Sequence, residues 1–182
     1  KIMGSFKFAA LYQGVPVAAE GQIVKQGWLQ VIQKEELPEM DVVWLAVDCA
    51  FQEEQMADET AICVAGLSHL DPTKVYILEI VKGRWGFPDL VAAVKLVYSM
   101  YQAKVLCIEK AASGQSLIQV LRREAKIPIE EMKPLKSKTT RLQAVTPMME
   151  AGRVYFVQDM WTDILDRKST RLNSSHLVIS YA

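Results

Sequence analysis

Val42-Val43-Trp44-Leu45-Ala46-Val47-Asp48 is a run of six apolar residues closed by a carboxylate. It is short, and rich in β-branched and aromatic side chains, so it reads as a buried strand that delivers Asp48 to its end. Thr60-Ala61-Ile62-Cys63-Val64-Ala65-Gly66-Leu67 is a second such run, and Lys74-Val75-Tyr76-Ile77-Leu78-Glu79-Ile80-Val81 a third. Asp71-Pro72-Thr73 between the last two is a turn signal. Short links favour antiparallel neighbours, so these three are expected to form a meander.

The period then changes. Pro88 stands near the start of a segment that places Leu90, Val91, Val94, Val97, Tyr98 and Tyr101 on roughly one helical face. Lys104 to Glu109 is a fourth strand, again apolar and again ending in an acid. Ser113-Gly114 opens a helix carrying Leu117, Ile118 and Leu121, and Ile127 to Met132 is a weaker strand. Ser137 to Ala151 is a third helix with Gly152 as its C-cap, and Arg153 to Phe156 returns to extended structure. The order βββαβαβα predicts an α/β domain, a mixed sheet with helices on both faces. Residues 1–40 alternate short polar and apolar pieces around Gly14, Pro16, Gly21, Gly27 and Pro38, the composition of a connecting segment. The domain proper is expected over 41–165.

The 182 residues are 51% hydrophobic and 23% charged, which is globular composition. No apolar run reaches the roughly 18 residues of a membrane span. Cys49, Cys63 and Cys107 lie in apolar runs and read as buried free thiols in a reducing compartment. Asp166 to His176, and Ile179 to Ala182, back-translate into what resembles a widely used sequencing adapter, so 166–182 is expected to be a non-native tail. That tail carries Arg167, Lys168 and Arg171 against Asp166. Removing it takes 21 basic and 21 acidic groups to 18 and 20, and leaves His69 as the one histidine. Nucleophilic triads and a Cys/His zinc site are therefore improbable, and carboxylate chemistry with a hard metal is what remains.

Asp48 and Glu109 both end apolar strands. If those strands are neighbours, the two carboxylates meet, and a divalent cation such as Mg²⁺ relieves their repulsion. Asp58 follows across an acidic loop as a possible third ligand. The plain alternative is that strand-end acids cap helices or pair with lysines. Lys133, Lys136, Lys138 and Arg141, with Arg122 and Arg123 upstream, form the one basic concentration, suited to phosphates or to a solvated helix start.

The words at these positions resemble a known family. Phe8-Ala9-Ala10-Leu11-Tyr12-Gln13-Gly14-Val15-Pro16 is similar to the joint between the ATPase and nuclease domains of bacteriophage terminase large subunits. Val47-Asp48 with Asp58-Glu59-Thr60-Ala61, Ile108-Glu109-Lys110-Ala111-Ala112-Ser113-Gly114, and Glu150-Ala151-Gly152-Arg153-Val154-Tyr155-Phe156 resemble motifs of the nuclease domain, a ribonuclease H-like fold. The resemblance implies an endonuclease that cuts concatemeric double-stranded viral DNA by two-metal hydrolysis with Mg²⁺ or Mn²⁺. Asp48 and Glu109 would be catalytic, Asp48, Asp58 and Glu109 would hold metal, and Lys138 and Arg141 would contact DNA. It further implies the host-cell cytoplasm during virion assembly, with portal protein and small terminase subunit as partners and no membrane. The family's ATPase motor is expected upstream of Lys1. Its last aspartate, shortly beyond the position of Trp161, is expected to be replaced by the adapter-like tail, which would impair cutting. Two alternatives stand beside this reading: another ribonuclease H-like nuclease, such as a resolvase or transposase core, and a non-catalytic docking domain. The docking domain would keep Asp48 and Glu109 apart or hold them on fixed Lys or Arg partners.

Overall fold

The computed structural model describes residues 24, 28–49, 59–110, 112–133 and 138–158. Its strands are β1 (Gln30–Ile32), β2 (Val42–Asp48), β3 (Thr60–Leu67), β4 (Val75–Gly83), β5 (Val105–Glu109), β6 (Ile129–Met132) and β7 (Val154–Val157). The helices are α1 (Phe87–Met100), α2 (Ala112–Glu124) and α3 (Lys138–Glu150). The strands join in one sheet in the order β1-β7-β4-β3-β2-β5-β6. The meander is present, with β3 antiparallel to both β2 and β4. Every other pairing is parallel. Thus β3 alone runs backwards, and the carboxyl ends of β2, β4 and β5 share one edge of the sheet.

Strand alternation sorts side chains onto two faces. On one, Leu45, Val47, Ile62, Val64, Leu106 and Ile108 pack against Leu90, Val91, Val94 and Val97 of α1 and Leu117, Ile118 and Leu121 of α2. On the other, Ala46, Ala61, Cys63, Ala65, Ile77, Ile80 and Phe156 pack with Leu142 and Met149 of α3. Each fully buried large side chain removes enough apolar surface for about 1.5–3 kcal/mol, so both layers hold the sheet. Helices therefore cover both faces, as expected.

Local chemistry explains the element ends. Pro88 sits in the first turn of α1, where its missing N–H costs nothing. Gly152 adopts φ +65° after α3, a C-cap conformation that favours glycine. Pro147 lies inside α3 and leaves the Gln143 carbonyl without its helical donor. The Thr146 hydroxyl donates to that carbonyl at 2.8 Å.

Two features lie beyond what the sequence pattern gives. Residues 30–32, inside the expected connecting segment, form edge strand β1 and pair in parallel with β7. The register between β3 and β4 shifts between Val64 and Ala65, so Val64 opposes Glu79 while Ala65 opposes Ile77. Leu78 is the extra residue of this bulge, and beyond it the faces of β4 exchange parity. Among the described residues no helix is long and apolar enough to cross a membrane. The adapter-like tail, residues 166–182, lies outside the described residues.

Candidate active site

Strand β2 pairs with β5 in parallel, with Trp44 opposite Val105, Ala46 opposite Cys107 and Val47 opposite Ile108. The next step of that register sets Asp48 beside Glu109, on strands about 4.8 Å apart. Neighbours in a parallel register share a face. Trp44, Ala46 and Cys107 belong to the α3 layer, so Asp48 and Glu109 lie on that face too. Asp48 is buried, only 9% exposed, and the Glu109 side chain is 15% exposed.

The neighbouring thiol registers both charges. Burial, then the Asp48 and Glu109 carboxylates, push the Cys49 thiol up to about 12. Burial alone raises Cys63 to about 12. Of the three thiols only Cys63 is fully buried; Cys49 and Cys107 are partly exposed, contrary to the uniform burial expected of them.

Helix α3 brings a cation to this pair. The Arg141 Nη1 lies 3.5 Å from Glu109 Oε1, and the Arg141 side chain is only 12% exposed. Glu109 Oε2 is buried and has no hydrogen-bond partner among the described residues. Burying a carboxylate oxygen without a donor is costly, and a hard cation is the ligand such an oxygen suits. The entry of α2 fixes Glu109 from the backbone side. A Cβ added at Gly114 would stand 2.1 Å from the Glu109 carbonyl oxygen, so only glycine permits this close approach.

The remaining expected site residues fall as follows. Asp58 lies outside the described residues, as does the side chain of Lys138, whose backbone opens α3. Among the described residues no group of three or more His, Cys, Asp or Glu is placed to hold a metal. Asp48 and Glu109 form a pair, with Asp58 unplaced. The basic concentration is partly neutralised. Arg122 pairs with Glu131 at 2.7 Å, Lys110 with the same carboxylate at 2.6 Å, and Arg123 with Glu124 at 3.2 Å. His69 lies at the opposite sheet edge, where both its backbone N–H and its Nδ1 are 2.7 Å from Asp41 Oδ2.

Sequence reasoning missed Lys82. Its register partner Ala61 is also the partner of Asp48, so Lys82, Ala61 and Asp48 form one row across β4, β3 and β2. No residue type in the sequence announces this placement, because the register shift between β3 and β4 decides it.

Comparison with known proteins follows the same lines. A family model described as the terminase RNase H-like domain matches residues 45–169. Among solved structures, the Thermus phage P74-26 large terminase nuclease domain superposes with a TM-score of 0.58 at 16% identity, covering 94% of this chain and 93% of that one. The large terminase nuclease of thermophilic phage G20c with bound magnesium gives 0.58 at 15%, covering 94% and 96%. The same phage's nuclease with bound zinc gives 0.57 at 18%, covering 94% and 98%. At such identities the likeness is one of fold. No curated protein matches the chain.

Proposed function

The chain belongs to the terminase RNase H-like domain family, and from that premise we propose that it is the metal-dependent endonuclease domain of a phage DNA-packaging terminase. Family membership makes it a nuclease, a hydrolase of phosphodiester bonds. The proposed substrate is concatemeric double-stranded viral DNA, cut in the infected cell during virion assembly, with portal protein and small terminase as partners of the whole protein. One observation carries the reading: Asp48 and Glu109 end adjacent parallel strands on the same face, with Glu109 Oε2 buried and unbonded among the described residues.

Asp48 and Glu109 are the proposed holders of Mg²⁺ or Mn²⁺, and Asp58 a third ligand. Two ions are the proposed complement of the intact domain, as two-metal hydrolysis requires. The G20c nuclease, solved with magnesium and with zinc, supports divalent-cation use here. A bound divalent cation supplies Lewis acidity toward the phosphodiester and the attacking water. The protein's own contribution is positional. The β2–β5 register fixes the spacing of the carboxylates, burial of Asp48 keeps water from its charge, and Gly114 holds the end of β5 against α2. Arg141 balances Glu109 and stands where a phosphate would meet a cation.

The Arg141 contact also favours a second reading, a docking domain whose acids are permanently neutralised. Plasmid cutting separates the two. The protein should convert supercoiled plasmid in Mn²⁺ and not in EDTA. Its Asp48→Ala variant should be inert and still folded, and its His69→Ala variant close to the parent. Undiminished cutting by Asp48→Ala, or cutting in EDTA, overturns the mechanism, and an inert parent protein favours docking.

A further inference from the structure

Lys82 would not be expected to lie near the acids. It follows Val81 near the end of a mostly apolar strand, and without the bulge at Leu78 its side chain would face α1 and α2. The register shift between Val64 and Ala65 changes that. Beyond it, Ile80 packs in the α3 layer and Val81 against the other, so Lys82 projects on the face of Asp48 and Glu109. Trp85 secures this end of β4 from the opposite side, where its ring lies so close that a Cβ at Gly83 would stand 2.4 Å from it.

The row from β4 to β5 reads Lys82, Ala61, Asp48, Glu109. Two strand spacings, about 10 Å, separate Lys82 from Asp48, and the smallest of side chains, Ala61, stands between them. The other described cations at this end of the face are engaged by acids. Arg141 is 3.5 Å from Glu109 and Arg84 is 4.0 Å from Glu59. Lys82 makes no hydrogen bond or ion pair among the described residues, although Glu59 is near enough to favour its charge. Burial holds its ammonium below the usual lysine range, with Glu59 opposing. A half-buried ammonium without a close partner among the described residues, beside a nuclease site, is suited to an anion that arrives from outside.

We propose that Lys82 binds a backbone phosphate of the DNA on the β4 side of the acid pair, next to the phosphate that is cut. The duplex would then be gripped on two sides, by Lys82 across the sheet and by the start of α3 above Glu109. This rests on the nuclease reading and adds a binding residue to it. As a phosphate contact, Lys82 contributes affinity that salt weakens and carries no base preference.

The test is fluorescence anisotropy of a labelled duplex with the full chain, in Ca²⁺, across about 50–200 mM salt. Lys82→Ala should bind more weakly, and the slope of log affinity against log salt should become shallower by about 1. The parent's advantage should therefore shrink about 3.5-fold over that salt range. Lys82→Arg should restore slope and affinity, and Lys74→Ala, at the opposite sheet edge, should match the parent. Lys82→Gln serves in place of the alanine variant if that one unfolds, and thermal melts of each variant separate a structural loss from a binding loss. If the parent binds and the Lys82 variants match it in slope, the Lys82 contact is wrong, while the nuclease reading stands or falls on the plasmid assay. If the parent binds no duplex at about 50 mM salt, both are wrong.

Discussion

The guanidinium of Arg141 and the carboxylate of Glu109 face each other between the start of α3 and the end of β5, Nη1 to Oε1 at 3.5 Å. Both side chains are nearly buried, so the pairing offsets part of the cost of burying each charge. Arg141→Ala leaves Glu109 buried without its cation, which should cost on the order of 3 kcal/mol in urea unfolding. A divalent cation bound at Glu109 would replace the missing charge. Mg²⁺ should accordingly raise the melting temperature of Arg141→Ala by more than it raises the parent's. Equal shifts would place the cation elsewhere.

Cys49 offers a probe of the acid pair that needs no catalysis. With its thiol at about 12, the thiolate fraction at pH 8 is about one in ten thousand, so native alkylation should be slow. Glu109→Gln removes one of the charges that hold the thiol up and should speed Cys49 labelling a few-fold, while Cys63 stays protected by burial. Mass spectrometry of iodoacetamide-treated protein reads this directly. An unchanged Cys49 rate would mean that Glu109 is not beside β2.

Gly114→Ala should be disproportionately harmful for a methyl group. Its Cβ would collide with the Glu109 carbonyl at 2.1 Å, and backbone must move because no flexible side chain is there to yield. Overpacking of this kind costs about 1–3 kcal/mol, read as a lowered urea midpoint. The displaced strand end should also weaken the Mg²⁺-induced melting shift. A variant as stable as the parent would contradict the close approach of α2 to β5.

At the opposite edge, the His69 backbone N–H, followed by its side chain, holds the Asp41 carboxyl below its ordinary 3.8. The Lys104 charge acts in the same direction more weakly, while its Nζ donates to the Asp41 carbonyl at 2.6 Å. A carboxyl lowered in the folded state adds stability that is present above about 3.8 and lost as pH falls through the lowered value. Melting temperatures from pH 6 down to 2.5 should therefore fall less steeply for Asp41→Asn than for the parent. Parallel curves would remove Asp41 from the acid response.

The pairing of β2 with β5 was legible because each strand is apolar and each ends in an acid, so burial and function point the same way. The helices were legible from Leu90, Val94 and Val97 and from Leu117 and Leu121, whose spacing admits one face. Strand β1 was not. Three residues, Gln30-Val31-Ile32, carry too little pattern, and only the waiting edge of β7 makes them a strand. Lys82 was hidden because a bulge changes which face a residue occupies, and no residue type announces it. Arg141 was legible as a cation near the site, but its pairing with Glu109 depends on α3 crossing the face above β5, which local sequence does not encode.

The parallel pairing of β1 with β7 also carries a time order. It joins Gln30 to Tyr155 and is reinforced by a side-chain hydrogen bond between Gln33 and Gln158, whose sequence separation is 125. Closures over such a span are slow compared with the meander β2–β4, whose partners are close along the chain. Pulse-labelled hydrogen exchange should protect amides of β3 before those of β1. Asp48 and Glu109 would then be side by side while the outer edge of β7 is still open. For that interval the nascent domain carries a formed acid pair and an unpaired strand at once, and β1 is the segment that ends its exposure to self-association.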